Sequence, residues 1–321
     1  MKKNLLVITP IKHIPKVYNS LNKSFKIYYY PDFKKTDIHE INNIEFYAIY
    51  TNPNKSKVRI DKDIVNAISG LQYVVTASTG TNHIEKNLLK KNNIKLISLT
   101  KDLKTIRTIS STAEHAFALT LNAVRNIDAA SKSVIHGKWD YLPFVGRQMN
   151  KLNILIIGFG RLGKMYYRYA KSFGASVKIY DPYVEAKTNK KNVCFVGLRD
   201  GVKTADVLTL HVHHTKETEK MINSKLLKHC KENVIIVNTS RGEIVNEDDI
   251  INYLKLNKSA KYYTDVISDE IKSKSKSMLL KENSKNDNLF VTPHIGGMTI
   301  DAQEIAFGRV ADRLINTLAH E

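Results

Sequence analysis

An apolar strand that runs directly into three spaced glycines constrains this chain more than any other feature. Leu152-Asn153-Ile154-Leu155-Ile156-Ile157 leads into Gly158-Phe159-Gly160-Arg161-Leu162-Gly163, and Met165 to Phe173 then reads as a helix. A second strand, Ser176 to Tyr180, ends at Asp181, 18 residues beyond Gly163. Glycines also punctuate ordinary turns, but strand, G-x-G-x-x-G, helix, strand and acid in this order form a dinucleotide-binding fingerprint. Gly158 is expected to permit the tight turn, Gly160 to let the backbone approach a pyrophosphate, and Gly163 to let helix and strand pack closely. The helix N-terminus offers its unsatisfied N–H groups to the same anion. Asp181 is placed to accept from the adenosine ribose hydroxyls and to repel a 2′-phosphate. The residues after it are Pro182 and Tyr183, not arginine, so NAD is expected over NADP.

Three later segments supply an arginine, a glutamate and a histidine. They are Asn238-Thr239-Ser240-Arg241-Gly242, Asp265-Val266-Ile267-Ser268-Asp269-Glu270 and Thr292-Pro293-His294-Ile295-Gly296-Gly297. Each follows a strand-like run: Val234 to Val237, Ala260 to Thr264 and Leu289 to Val291. In an open parallel sheet, residues just past the carboxyl ends of strands converge on one crevice. A guanidinium to grip a carboxylate, a histidine to move a proton and a carboxylate to tune the histidine make a working set.

At 321 residues the chain has room for two domains, and the first hundred residues alternate short strands and helices, as in a small doubly wound domain. Strands are expected at Leu5–Ile8, Phe25–Tyr30, Phe46–Tyr50, Tyr73–Ala77 and Lys95–Leu99, and helices at Ile14–Leu21, Asp61–Ile68 and Ile84–Lys91. Ser111 to Asn126 reads as a helix opened by a Ser111–Glu114 capping box. The polar stretch Lys272 to Asn288 reads as a surface loop. The run Leu5 to Ile8 is too short for a signal peptide, and no stretch approaches the roughly 18 apolar residues of a membrane span. Cys194 and Cys230 stand apart, without metal or redox spacing, and read as buried or inert thiols in a reducing cytosol.

The net charge of +19 invites a nucleic-acid partner. The lysines, however, are dispersed among asparagine and isoleucine along the whole chain, and no helix carries a basic stripe. Neither nucleic acid nor membrane is therefore expected as a partner. His211, His213 and His214 have the alternation of one strand face, yet no third ligand of suitable spacing accompanies them, and no metal is expected.

With these residues in hand, the chain resembles the NAD-dependent D-2-hydroxyacid dehydrogenase family over nearly its whole length. Ser111-Thr112-Ala113-Glu114-His115, the glycine fingerprint, Leu210-His211-Val212, Asn238 to Val245, Glu270 and His294 to Gly297 occur in the family's order. The resemblance implies an α/β protein of two doubly wound parallel-sheet domains. These are a Rossmann dinucleotide-binding domain over 106–294 and a smaller flavodoxin-like substrate domain over 1–105 and 295–321. It implies an active cleft between the domains, and a homodimer to which the Ser111 helix contributes. His294 is then the general acid/base, Glu270 the partner that fixes its tautomer and favours its protonated form, and Arg241 the clamp on the substrate carboxylate. Gly158, Phe159, Gly160, Arg161, Leu162, Gly163, Asp181, His211, Val212, Thr218, Thr239, Asp265 and Gly296 are the implied cofactor contacts. Ser78, Thr79 and Gly80, with Arg241 and His294, are the implied substrate contacts, and a plain strand-to-helix turn is an equal reading of the first three.

Two departures stand out. Ile271 and His213 occupy positions where members of the family usually carry proline. The resemblance leans toward phosphoglycerate-dehydrogenase-like members, whose phosphate-binding arginine has Lys55, Lys57 or Arg59 as candidate substitutes here. Glyoxylate/hydroxypyruvate reductase is the second substrate class, and a sugar acid would need only a larger pocket. A non-catalytic NAD(H)-sensing interaction protein is the alternative of a different kind, since corepressors share the fold.

Overall fold

The computed structural model describes residues 1–52, 58–78, 80, 81, 83–185, 193–268, 270, 277–283 and 286–320. Thr79, Lys55, Lys57 and Ile271 lie outside them. The chain divides into two compact units, one formed by 1–109 with 298–321 and the other by 110–297.

The first unit is built on five parallel strands: β1 (Lys3–Val7), β2 (Phe25–Tyr29), β3 (Ala48–Thr51), β4 (Tyr73–Thr76) and β5 (Lys95–Ile97). Their spatial order is β2-β1-β3-β4-β5, the flavodoxin-like arrangement. Both faces are covered, so the inner strands β3 and β4 are buried along their whole length and do not alternate. Successive side chains point to opposite faces. Leu5, Val7, Tyr50 and Val75 pack with Phe307, Val310 and Leu314 of the C-terminal helix Ile300–Thr317, while Leu6, Ile8, Ile49 and Val74 pack with Ile64 and Leu89. That helix therefore belongs to the first unit. Asp102 ties it down: Oδ2 accepts from Arg309 Nε at 2.8 Å and Arg313 Nη2 at 2.7 Å, and Oδ1 accepts from Thr105 N–H at 3.1 Å.

The second unit holds seven parallel strands: β6 (Asn153–Ile157), β7 (Ser176–Tyr180), β8 (Cys194–Phe195), β9 (Val207–Leu210), β10 (Ile235–Asn238), β11 (Lys261–Thr264) and β12 (Leu289–Val291). The order β12-β11-β10-β9-β6-β7-β8 is the Rossmann order with one further strand at its edge. Leu155, Leu208, Ile236 and Tyr262 face a core shared with Val202, Ile250 and Leu254; Ile154, Ile156, Val237 and Tyr263 face one shared with Ala116, Phe117 and Tyr166. The fold class expected from the sequence is thus the one observed.

Four local expectations need correction. The capping box does not form: Ser110 is the N-cap, and Ser111 lies inside the first turn, buried, with its Oγ lacking a partner among the described residues. Residues 278–283 of the expected surface loop form a helix, because Leu279 is drawn fully into the core. Cys194 is exposed, since it sits on the two-residue edge strand β8, whereas Cys230 is half-buried and its thiol is pushed up to about 12 by burial. Finally, β9 ends at Leu210, so His211, His213 and His214 lie past the strand and share no strand face.

The long helix also stops earlier than a continuous pattern would carry it. Asn126 takes a left-handed φ of 57° and breaks it into Ser111–Arg125 and Ile127–Ile135. Lys261 Nζ donates to the Ala123 carbonyl at 2.5 Å and to Asn126 Oδ1, holding that end; burial lowers the lysine pKa.

Candidate active site

The glycine turn leaves β6 as its sequence implies. Gly158 has φ +95°, a region L side chains rarely adopt, and a Cβ there would stand 2.7 Å from the His211 backbone. A Cβ on Gly163 would fall 2.1 Å from the Gly158 carbonyl oxygen, whereas one on Gly160 would meet nothing within 4 Å. Two glycines therefore serve close packing, and the third fronts open space. The helix Arg161–Ser172 begins at once, four residues before the expected Met165, with Gly160 as N-cap and no side chain capping it. Its ladder starts with Lys164 N–H donating to the Gly160 carbonyl, leaving the first-turn N–H groups outside the helical hydrogen bonds. Space at Gly160 with an uncapped helix N-terminus fits a pyrophosphate.

Around this turn the predicted contacts take individual places. Phe159 is buried, its ring edge-on to Tyr167 and Phe195, and its N–H donates to Asp181 Oδ2 at 2.8 Å. Asp181 Oδ1 accepts from the N–H groups of Tyr183 and Val184 at 3.1 and 3.0 Å. The carboxylate is thus a local anchor as well as the ribose acceptor implied by the sequence. Leu162 is half-exposed, and burial lowers the pKa of the Arg161 guanidinium. Thr218 spends its hydroxyl on the turn after β9, donating to the His213 carbonyl at 2.6 Å. Thr239 Oγ1 is buried with no partner among the described residues.

His211 follows β9, with Val212 half-buried beside it. Burial pushes its imidazole pKa down to about 3, so the ring is neutral. Its Nε2 lies 2.9 Å from Thr209 Oγ1, and Nδ1 is buried without a partner among the described residues.

The catalytic candidates occupy the exits of β10, β11 and β12, which are neighbours in the sheet. His294 Nδ1 and Glu270 Oε2 are 2.7 Å apart, and both side chains remain about a quarter exposed. His294 takes a φ of +60°, uncommon for a residue with a Cβ. Asp265 anchors this turn. Its Oδ1 accepts from Ile295 N–H at 2.8 Å and Thr292 Oγ1 at 2.6 Å, and its Oδ2 accepts from Gly296 N–H at 2.7 Å. His115 Nε2, from the Ser111 helix, lies 3.4 Å from Oδ1 and 3.1 Å from Thr292 Oγ1. Burial alone would raise the Asp265 pKa, but these hydrogen bonds outweigh it and hold the carboxyl below its usual range.

Arg241 follows β10, with Nη1 donating to the Ser240 carbonyl at 2.5 Å. Gly242 lets this loop lie against the one that carries Glu270: a Cβ on it would be 2.0 Å from the Ile267 carbonyl carbon. Glu247 braces the same loop, its Oε1 accepting from Ser268 N–H at 2.6 Å, while burial raises its pKa. The structure therefore joins His294 directly to Glu270, anchors the His294 turn through its neighbours on Asp265, and brings the Arg241 loop against the one that carries Glu270. Glu247 and the anchoring use of Asp265 carry no local sequence signal, because both depend on contacts between distant loops.

Ser78 and Gly80 belong to the first unit, past β4, where Gly80 N–H donates to Ser78 Oγ at 3.0 Å. Arg59, a candidate for a substrate phosphate, is paired with Glu85 at 3.2 Å. Thr51, the last residue of β3, is fully buried, and its Oγ1 has no partner among the described residues.

Sheet order and glycine turn together define a doubly wound nucleotide-binding fold, with a His294–Glu270 pair at strand exits of the same sheet. Residues 117–296 match the model of the D-isomer specific 2-hydroxyacid dehydrogenase NAD-binding domain, and the chain belongs to that family. Similar curated relatives include D-3-phosphoglycerate dehydrogenase of Archaeoglobus fulgidus, 32% identical over 263 residues that make up 82% of this chain and 48% of the relative. The Methanocaldococcus jannaschii D-3-phosphoglycerate dehydrogenase is 30% identical over 271 residues, covering 83% and 49%. The chain spans about half the length of the curated relatives it matches. Among solved structures, apo D-lactate dehydrogenase from Escherichia coli is similar in fold, with a TM-score of 0.83 at 21% identity over 99% of this chain and 98% of that one. D-lactate dehydrogenase from Aquifex aeolicus, complexed with NAD and lactic acid, gives a TM-score of 0.76 at 24% identity over 99% and 96%.

Proposed function

We propose that the chain interconverts a D-2-hydroxy acid and its 2-keto acid, with NAD as hydride carrier. The observation that carries this reading is the His294–Glu270 pair at 2.7 Å, on the sheet that also bears the glycine turn. Bound NAD(H) supplies the hydride exchange at C2. Glu270 accepts from Nδ1 and so fixes the tautomer, leaving Nε2 to take the hydroxyl proton in oxidation and return one to the carbonyl oxygen in reduction. Arg241 grips the substrate carboxylate and polarises the reacting oxygen. Ser78, Thr79 and Gly80 of the 1–109 unit supply further substrate contacts, which makes that unit the substrate domain and 110–297 the NAD domain. The substrate leans toward 3-phosphoglycerate by likeness to the relatives, with an unphosphorylated acid of the glyoxylate or hydroxypyruvate kind second.

Arg241→Ala is expected to reduce kcat/KM for the keto acid at least a hundredfold while changing NADH affinity less than twofold. Steady-state kinetics beside NADH fluorescence titration checks this. Equal losses in both would remove Arg241 as the substrate clamp.

We further propose a cytoplasmic homodimer. Among the described residues no helix is long and apolar enough to cross a membrane. In the single chain, Ile127, Val134, Ile135, Trp139, Tyr141, Leu142 and Val145 are all at least half exposed, an apolar stretch that a second copy would cover. Trp139 is 89% exposed and is the only tryptophan in the chain. Light scattering is expected to give twice the 36.5 kDa chain mass, and Trp139→Lys to give one chain mass. The wild-type tryptophan emission should shift to the red as the protein is diluted into monomers. A wild-type protein of single-chain mass at micromolar concentration would contradict the dimer.

A further inference from the structure

Sheet order places the exits of β7 and β9 on either side of the glycine turn that leaves β6. Two residues past Asp181, the Tyr183 hydroxyl donates to Glu217 Oε2, and Glu217 sits in the turn after β9 that Thr218 closes onto the His213 carbonyl. This hydrogen bond ties the two exits together across the front of β6. We infer that Glu217, held there by Tyr183, is a second cofactor-specificity residue that works with Asp181 to exclude a 2′-phosphate. The inference rests on the NAD reading of the glycine turn given above.

The physical argument is electrostatic. Asp181 is pinned as an acceptor by the N–H groups of Phe159, Tyr183 and Val184, so its charge is fixed at the turn. Tyr183 carries its N–H to Asp181 and its hydroxyl to Glu217, so one side chain's length separates the two carboxylates. Hydrogen bonding to Glu217 raises the Tyr183 phenol pKa, which keeps it a neutral donor. Tyr183 is 65% exposed, so its ring is not buried in the core and is available beside an adenosine. A 2′-phosphate brings about −1.5 to −2 charges near neutral pH. It would meet two carboxylates in place of one, whereas the ribose hydroxyls of NAD would find two acceptors.

The test is equilibrium binding of NADH and of NADPH, read by nicotinamide fluorescence on the full chain. Glu217→Gln is expected to tighten NADPH about fivefold at low salt and to leave NADH within twofold. Tyr183→Phe, which frees Glu217, should move NADPH in the same direction by less. The NADPH gain should shrink as salt rises through 0.5 M, because exposed charges are screened. An NADPH dissociation constant unchanged in Glu217→Gln, or equal shifts for both cofactors, would overturn the assignment. Wild-type protein that binds neither cofactor would overturn the NAD reading itself, and this inference with it. NADH binding with an unmoved NADPH constant strikes only the role of Glu217.

Discussion

Replacing His294 with alanine is expected to lower kcat by about a thousandfold, within the range that a lost general acid/base costs, and to leave NADH binding intact. The separation follows from geometry. The imidazole sits at the exit of β12 with Nδ1 on Glu270, whereas the glycine turn leaves β6, with β9, β10 and β11 standing between the two strands in the sheet. Glu270→Gln should fall between wild type and His294→Ala, because an amide still positions the ring but no longer stabilises its charged form. Stopped-flow measurement of NADH oxidation in a single turnover distinguishes the chemical step from release. A His294→Ala enzyme retaining a tenth of wild-type kcat would remove His294 from proton transfer.

Asp265→Ala is expected to damage both stability and turnover, for a different reason. The carboxylate is almost fully buried and receives two backbone N–H groups and the Thr292 hydroxyl, with His115 beside it. Removing it takes the shared acceptor from the Ile295 and Gly296 N–H groups and from the Thr292 hydroxyl, at a cost of about 3 kcal/mol in unfolding free energy. It also frees His294 from a φ of +60°, which the paired N–H groups of Ile295 and Gly296 enforce. We therefore expect kcat to drop roughly a hundredfold at temperatures where the variant is still folded, the order that a displaced catalytic group costs. Because its hydrogen bonds hold the Asp265 pKa below the ordinary carboxylate value, the stabilisation it gives is fully present above that ordinary value. It is lost as pH falls through the lowered one. Chemical denaturation at pH 7 with parallel kinetics checks the pair of effects; unchanged stability with normal turnover would mean the anchor is dispensable.

What was legible in the sequence follows the reach of each signal. The β6–glycine–helix unit was readable because strand, turn and helix each leave a local mark; Gly163 is required by the nearby Gly158 carbonyl, whereas the close approach of His211 to Gly158 is a long-range contact that the local pattern does not show. The strand exits bearing Arg241, Glu270 and His294 were readable because buried parallel strands are apolar on both faces and end abruptly in polar residues. Asp265 was read as a cofactor contact, and its anchoring of residues 292–296 emerged only from long-range hydrogen bonds. Glu247 was invisible for the same reason, since its partner is Ser268, 21 residues away on another loop. The Ser111 box failed because two adjacent serines offer the same cap signal, and in the fold Ser110 takes the N-cap position while Ser111 is buried within the first turn. The end of the expected helix at Asn126 agrees with its left-handed φ of 57°, while the exposure of the apolar residues from Ile127 to Val145 had no local mark.

The proposed function is reduction of a 2-keto acid with NADH through His294. Its most direct test is NADH oxidation by the purified protein, followed at 340 nm, with 3-phosphohydroxypyruvate, hydroxypyruvate, glyoxylate and pyruvate in parallel. The account predicts turnover with at least one of the four and a product of D configuration wherever C2 becomes chiral. Preference for the phosphorylated acid would identify phosphoglycerate as the substrate, and preference for another would assign the chain to the reductases. Tight NADH binding with no oxidation by any of the four would contradict these substrates and favour a sugar acid or a cofactor sensor.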